Sequence, residues 1–140
     1  MTYSFGNTSK TRLFSCHGDI CKIMFMAIDA SEIDFTIVCG SRGEEEQEKA
    51  YAEGNSKAHY GESPHNATPS SLAVDICPYI DGGLVWDTNE HWWYLSDLIN
   101  KTQSKLLSEG SISNTLENGF DKWGWDRPHW QVIGWKGMVK

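Results

Sequence analysis

Two short segments constrain this chain more than anything else in it: Ser63-Pro64-His65 running on to Leu72-Ala73-Val74-Asp75, and Trp125-Asp126-Arg127-Pro128-His129-Trp130-Gln131. Each sets a histidine and a carboxylate beside a short apolar run. If the two segments meet, the fold must bring distant parts of the chain onto one centre, where two imidazoles and a carboxylate can serve a divalent cation. A catalytic zinc takes three N/O protein ligands and leaves its fourth position to water, whereas structural zinc prefers four ligands and is usually rich in Cys. That chemistry makes His65, Asp75 and His129 candidate ligands. Asp126 is the candidate base, because a base has to face the water rather than the metal.

Taken singly, these residues say little. A lone His in a Trp-rich segment is more often a packed, hydrogen-bonded side chain than a ligand, and Asp-x-x-His arises readily by chance. What carries weight is the joint pattern, a His and an Asp bracketing a loop into an apolar strand, then Asp-x-x-His before a second apolar run.

The segments resemble those of the zinc D-alanyl-D-alanine carboxypeptidases and L-alanyl-D-glutamate endopeptidases of peptidoglycan, whose pattern is Ser-x-His, Ala-x-Asp and later Asp-x-x-His. Upstream, Gly40-Ser41-Arg42-Gly43, Glu46-Gln47 and Tyr51-Ala52-Glu53-Gly54 are similar to that family's arginine-bearing strand end and the helix after it, so the likeness runs from about Asp34 to about Ile133. It implies the hedgehog/DD-peptidase fold, an α+β domain with a small antiparallel sheet and flanking helices. It also implies one zinc per chain on His65, Asp75 and His129, with Asp126 as catalytic base. Arg42 would steady the substrate carbonyl or a stem-peptide carboxylate, and Ser63 would line the site. Trp130, beside a ligand, is expected to touch substrate.

Within that family the Arg-x-x-x-x-Gln and Asp-Arg-Pro-His-Trp-Gln segments look closer to the phage endolysins. The implied function is hydrolysis of the L-alanyl-D-glutamate bond of the peptidoglycan stem peptide in host cell lysis. A D-alanyl-D-alanine carboxypeptidase is the alternative, and a non-catalytic, zinc-stabilised wall-binding module is a rival of another class. The base candidate Asp126 argues against the last. One departure stands out: His65 and Asp75 lie ten positions apart, a longer interval than the family's usual one, with Ala67-Thr68-Pro69-Ser70-Ser71 between them. Longer loops add little closure entropy, so the expected effect is on the rim of the site and on substrate preference, not on metal binding.

Composition bounds the rest. With 140 residues and 39% apolar content the chain can build one core, giving a single catalytic domain over residues 1–140. A net charge of −7 argues against a nucleic-acid partner, while Arg42 and Arg127 can outweigh the global sign locally. No secretory signal and no membrane span is visible, which fits an enzyme made in the host cytoplasm that reaches periplasmic murein through a separate membrane lesion, working as a monomer. Cys16, Cys21, Cys39 and Cys77 sit in apolar runs and read as small buried hydrophobes rather than disulfides.

Periodicity supplies the elements. Leu13, Ile20, Ile23, Met24, Ala27 and Ile28 predict a first amphipathic helix ending near Ala30. Residues 33–39 read as a buried strand, 44–53 as a charged helix stopped by Gly54, and 55–71 as a polar loop delivering His65. A second strand, 72–76, carries Asp75. Asp87 with Glu90 resembles a capping box opening a long helix to about Ser108, with Trp92, Leu95, Ile99 and Leu106 as its inner stripe. Residues 120–125 and 129–135 are expected as a strand pair around the second segment. Strands and helices mix without regular alternation, which reads as α+β.

Overall fold

The computed structural model describes residues 2–139. In chain order the elements are α1 (Asn7–Phe14), α2 (Gly18–Ala30), β1 (Asp34–Cys39), α3 (Glu44–Ala52), a 3-10 turn (Pro64–Asn66), β2 (Ala73–Ile80), β3 (Gly83–Leu84), α4 (Asn89–Ser108), β4 (Leu116–Asn118), α5 (Gly119–Trp123), β5 (His129–Val132) and a last 3-10 turn (Trp135–Met138). The strands form one antiparallel sheet in the order β1-β2-β5-β4, with β3 paired to β2. This is the expected α+β architecture.

Side-chain alternation decides which face of the sheet does what. On β2, Val74 and Ile76 turn into the core, and on β5, Trp130 and Val132 do the same. There they join Ile20, Ile23, Met24 and Ala27 of α2 and Leu95 and Ile99 of α4. Because successive strand residues point to opposite faces, Asp75, His129 and Gln131 are delivered to the other side. Strand β1 follows the same rule through Phe35 and Ile37, both buried. Between Ile37 and Cys39 the register shifts, and such a bulge re-aims the following side chain. Cys39 therefore faces the same side as Asp75, and the register aligns Cys39, Asp75 and His129 in one row across three strands.

Three local expectations change. The first amphipathic run ends at Ala30 as expected but is two helices. The chain breaks at residues 15–17, where His17 Nδ1 accepts from the Asp19 amide at 3.0 Å to cap α2, and the freed backbone pairs with Ser71. The segment 120–125, expected as a strand, is helical in α5: Asn118 caps it by accepting from the Phe120 amide at 3.0 Å, and Gly124, at φ 81°, ends it. Strand β5 finds its partner in β4 instead. The Asp87/Glu90 capping box does not form, since Thr88 is the N-cap of α4 and its side chain makes no capping bond.

Candidate functional site

The polar face of the sheet floors a cleft of about 720 Å³ whose lining includes Arg42, Ser63, His65, Asp75, Asp126 and His129. The sheet supplies Asp75 and His129 as directly opposed residues on β2 and β5. His65 arrives on the 3-10 turn, which Pro64 starts and Ser63 caps, its hydroxyl accepting from the His65 amide at 3.2 Å. Asp75 Oδ1 lies 3.2 Å from His65 Nε2 and 3.1 Å from His129 Nδ1.

Which ring nitrogens carry protons follows from their outer partners. His65 Nδ1 is 2.8 Å from the Gly40 carbonyl, an acceptor only, so Nδ1 is the donor and Nε2 holds the lone pair. For His129 the logic runs through two residues. Gln131 Nε2 donates to Glu117 Oε2 at 2.9 Å, which turns Gln131 Oε1 towards His129 Nε2, also at 2.9 Å. His129 Nε2 is then the donor and Nδ1 the lone pair. The outer partners thus aim two imidazole nitrogens, each left as an acceptor, at one carboxylate oxygen. Acceptors facing one another at hydrogen-bond distance require a proton or a cation, and histidines held by an outer acceptor are the usual dressing of metal ligands.

Burial works to lower the His65 pKa, but the Asp75 charge overrides it and pushes it up to about 10. Burial likewise works to raise Asp75, and the imidazoles hold it well below the carboxylate range. The donor set fits a divalent cation.

Two further groups complete the chemistry. Arg42 Nη2 lies 3.5 Å from Asp75 Oδ2. Its guanidinium is held from behind by Gln47, fully buried, whose Oε1 accepts from Arg42 Nη1 at 3.0 Å while Nε2 donates to Ser56 Oγ at 2.9 Å and to the Ala58 carbonyl at 2.7 Å. Asp126 is half-buried in a left-handed conformation at φ 67°. Burial raises its pKa from the ordinary carboxylate value; His129 opposes this, and Asp75 adds to it. The backbone around Asp126 is fitted to Gly119, where a Cβ would come within 2.5 Å of the Asp126 carbonyl oxygen.

Two expectations are corrected by this geometry. Trp130 does not line the cleft: it is 2% exposed, in the core, because it follows His129 directly on a strand and so faces the other way. The exposed indoles on the wall are Trp123 and Trp125. Nor does the longer loop at residues 67–71 form the rim. Ser71 is fully buried, its carbonyl accepting from the His17 amide at 2.8 Å and its amide donating to the Ser15 carbonyl at 2.9 Å, so the loop is fastened to the turn between α1 and α2.

Among the cysteines, all four are free, and burial pushes Cys16 and Cys77 up to about 12 and about 11. Cys39 was not legible as a site residue. With His65 and Asp75 it forms a group whose donor atoms lie within 4.8 Å of one another, a set that could hold a metal ion. Its Sγ, however, is 3.9 Å from His65 Nδ1, the ring edge committed to Gly40, and accepts from Arg42 Nη2 at 3.5 Å.

An α+β domain with a metal-capable His/Asp centre on the floor of an open cleft, and a desolvated carboxylate at its edge, defines the class of protein: a hydrolase. The sequence family described as phage L-alanyl-D-glutamate peptidase matches residues 1–114, and the chain belongs to it. The L-alanyl-D-glutamate peptidase of Escherichia phage T5 is 27% identical over 106 residues, covering 76% of each chain. In fold, the chain is similar to the crystal structure of the Serratia marcescens L-Ala D-Glu endopeptidase ChiX. The TM-score is 0.71 at 22% identity, covering 91% of this chain and 88% of that one.

Proposed function

We propose that this chain is a zinc-dependent L-alanyl-D-glutamate endopeptidase that cuts the stem peptide of peptidoglycan as a phage endolysin. It would act as a monomeric single catalytic domain, with one zinc held by His65 Nε2, Asp75 and His129 Nδ1. The observation that carries this reading is the meeting of two imidazole lone pairs on one Asp75 oxygen, each fixed by an outer hydrogen bond. Zinc, when bound, supplies a Lewis acid for the scissile carbonyl and lowers the pKa of its water towards roughly 7.

Asp126 takes the proton from the attacking water and returns it to the leaving amine. Arg42, fixed by Gln47, meets the charge that develops on the carbonyl oxygen or a carboxylate of the stem. Ser63 holds the turn that presents His65. Its place of action would be periplasmic murein, reached from the host cytoplasm through a separate membrane lesion. Among the described residues no helix is long and apolar enough to cross a membrane itself. Elemental analysis tests the ligand set: His65→Ala and His129→Ala should each lose zinc and hydrolysis together, and full zinc occupancy in both would remove them from the site.

A further inference from the structure

The cleft of this acidic protein carries four cations on its lining, Arg42, Lys57, Lys122 and Lys136. Arg42 is engaged by Asp75 and Gln47, and Lys122 by Glu117 at 3.2 Å. Lys136 lies 5.9 Å from the ring of its own neighbour, Trp135. Lys57 is different. It comes from the loop after α3, and its Nζ sits 4.6 Å from the centre of the Trp125 ring on the segment that carries Asp126. Among the described residues it has no carboxylate within ion-pair distance.

The wall leading to Lys57 is continuous. The Trp123 ring lies 5.6 Å from that of His129 and 6.1 Å from that of Trp125, and both indoles are 43% exposed. An apolar wall thus runs outward from the centre and ends in an ammonium group held in place by an aromatic face.

The substrate's own chemistry supplies the complement. A D-glutamate residue has two carboxyl groups, and the onward chain uses at most one. The residue immediately after the cleaved bond therefore keeps a second carboxyl group, which is an anion wherever it is not amidated. A protein of net charge −7 repels such an anion at long range, so its capture requires a local cation.

We propose that Lys57, seated on Trp125, is a specificity-determining residue that receives the free carboxylate of the D-glutamate on the leaving side of the bond. The inference rests on the function proposed above. Trp125 holds the ammonium in advance, so little side-chain ordering is left to binding.

The test compares two synthetic stem peptides that differ only in whether this carboxylate is free or amidated. Wild-type enzyme should favour the free acid by about fivefold in kcat/KM, the scale of a partly exposed ion pair, with the difference carried by KM. Lys57→Met keeps most of the length of the side chain but not the charge, and should bring the ratio close to one; Lys57→Arg should restore most of it. A wild-type enzyme with no preference, or a Lys57→Met variant that keeps the wild-type ratio, overturns the proposal. Wild-type enzyme that cleaves neither peptide overturns the function on which it rests.

Discussion

At Asp75 one carboxylate oxygen faces two imidazole nitrogens, and residues behind each ring decide which nitrogen that is. For His129 the deciding residue is Gln131, oriented in turn by Glu117. Gln131→Leu removes the acceptor that keeps the proton on Nε2, so zinc affinity should fall about 10–100-fold while the fold persists. Competition with a chromogenic chelator measures this, and an unchanged affinity would show that the tautomer is set otherwise. Asp126→Asn should retain zinc and lose hydrolysis by about 100-fold or more; near-normal turnover would require another base. Cys39 and His129 both neighbour Asp75 in the sheet, and a pair of variants separates them. Cys39→Ser should keep its zinc and His129→Ala should lose it, and the reverse result would make the thiol the third ligand.

The elements that hold these residues were legible to different degrees, for physical reasons. Helices α2 and α4 announce themselves through long 3.6-residue stripes. The five-residue α5 (Gly119–Trp123) is too short for a periodicity, and its aromatic residues mimic a strand. What marks it is Asn118 before it and Gly124 after it. Gly119 has a second role, since a Cβ there would meet the Asp126 backbone. Gly119→Ala should therefore displace Asp126 and depress turnover while zinc content stays near wild type, a split that activity and elemental analysis on one sample would reveal. Helix α2 depends on Asp19, whose Oδ2 accepts from the Ser113 amide at 3.1 Å and the Asn114 amide at 3.0 Å, tying the helix to the approach to β4. Burial works to raise the Asp19 pKa, but the Asn114 side-chain amide, which donates to the same oxygen at 3.1 Å, and these two backbone donors together lower it. A carboxylate with a depressed folded pKa contributes stability that is present above the unfolded value of about 3.9 and is lost as pH falls through the folded value. Thermal melts of Asp19→Ala and wild type should differ by about 1–3 kcal/mol near neutrality and converge in strong acid. A difference that persists at the lowest pH would mean that the carboxylate charge is not responsible.

In the molecule as a whole, the α+β class and the meeting of the two segments were readable because His65, Asp75, Asp126 and His129 carry chemistry in their residue types. Their supports were not. The bulge that turns Cys39 to the cleft, the opposite facing of Trp130 and the anchoring of residue 71 to the α1–α2 turn depend on register and on contacts between distant parts of the chain, which local sequence does not encode. The same division explains why chemistry was easier to read than substrate preference: ligands are residue types, whereas a cleft wall is an arrangement. The central claim, that this arrangement cuts the L-alanyl-D-glutamate bond with the help of a metal, is tested most directly by mass spectrometry of purified muropeptides digested with zinc-loaded and with chelated enzyme. New D-glutamate amino termini with the zinc-loaded enzyme, and none after chelation, are the predicted result. Loss of terminal D-alanine instead, no product at all, or full cleavage by the chelated enzyme would contradict the account.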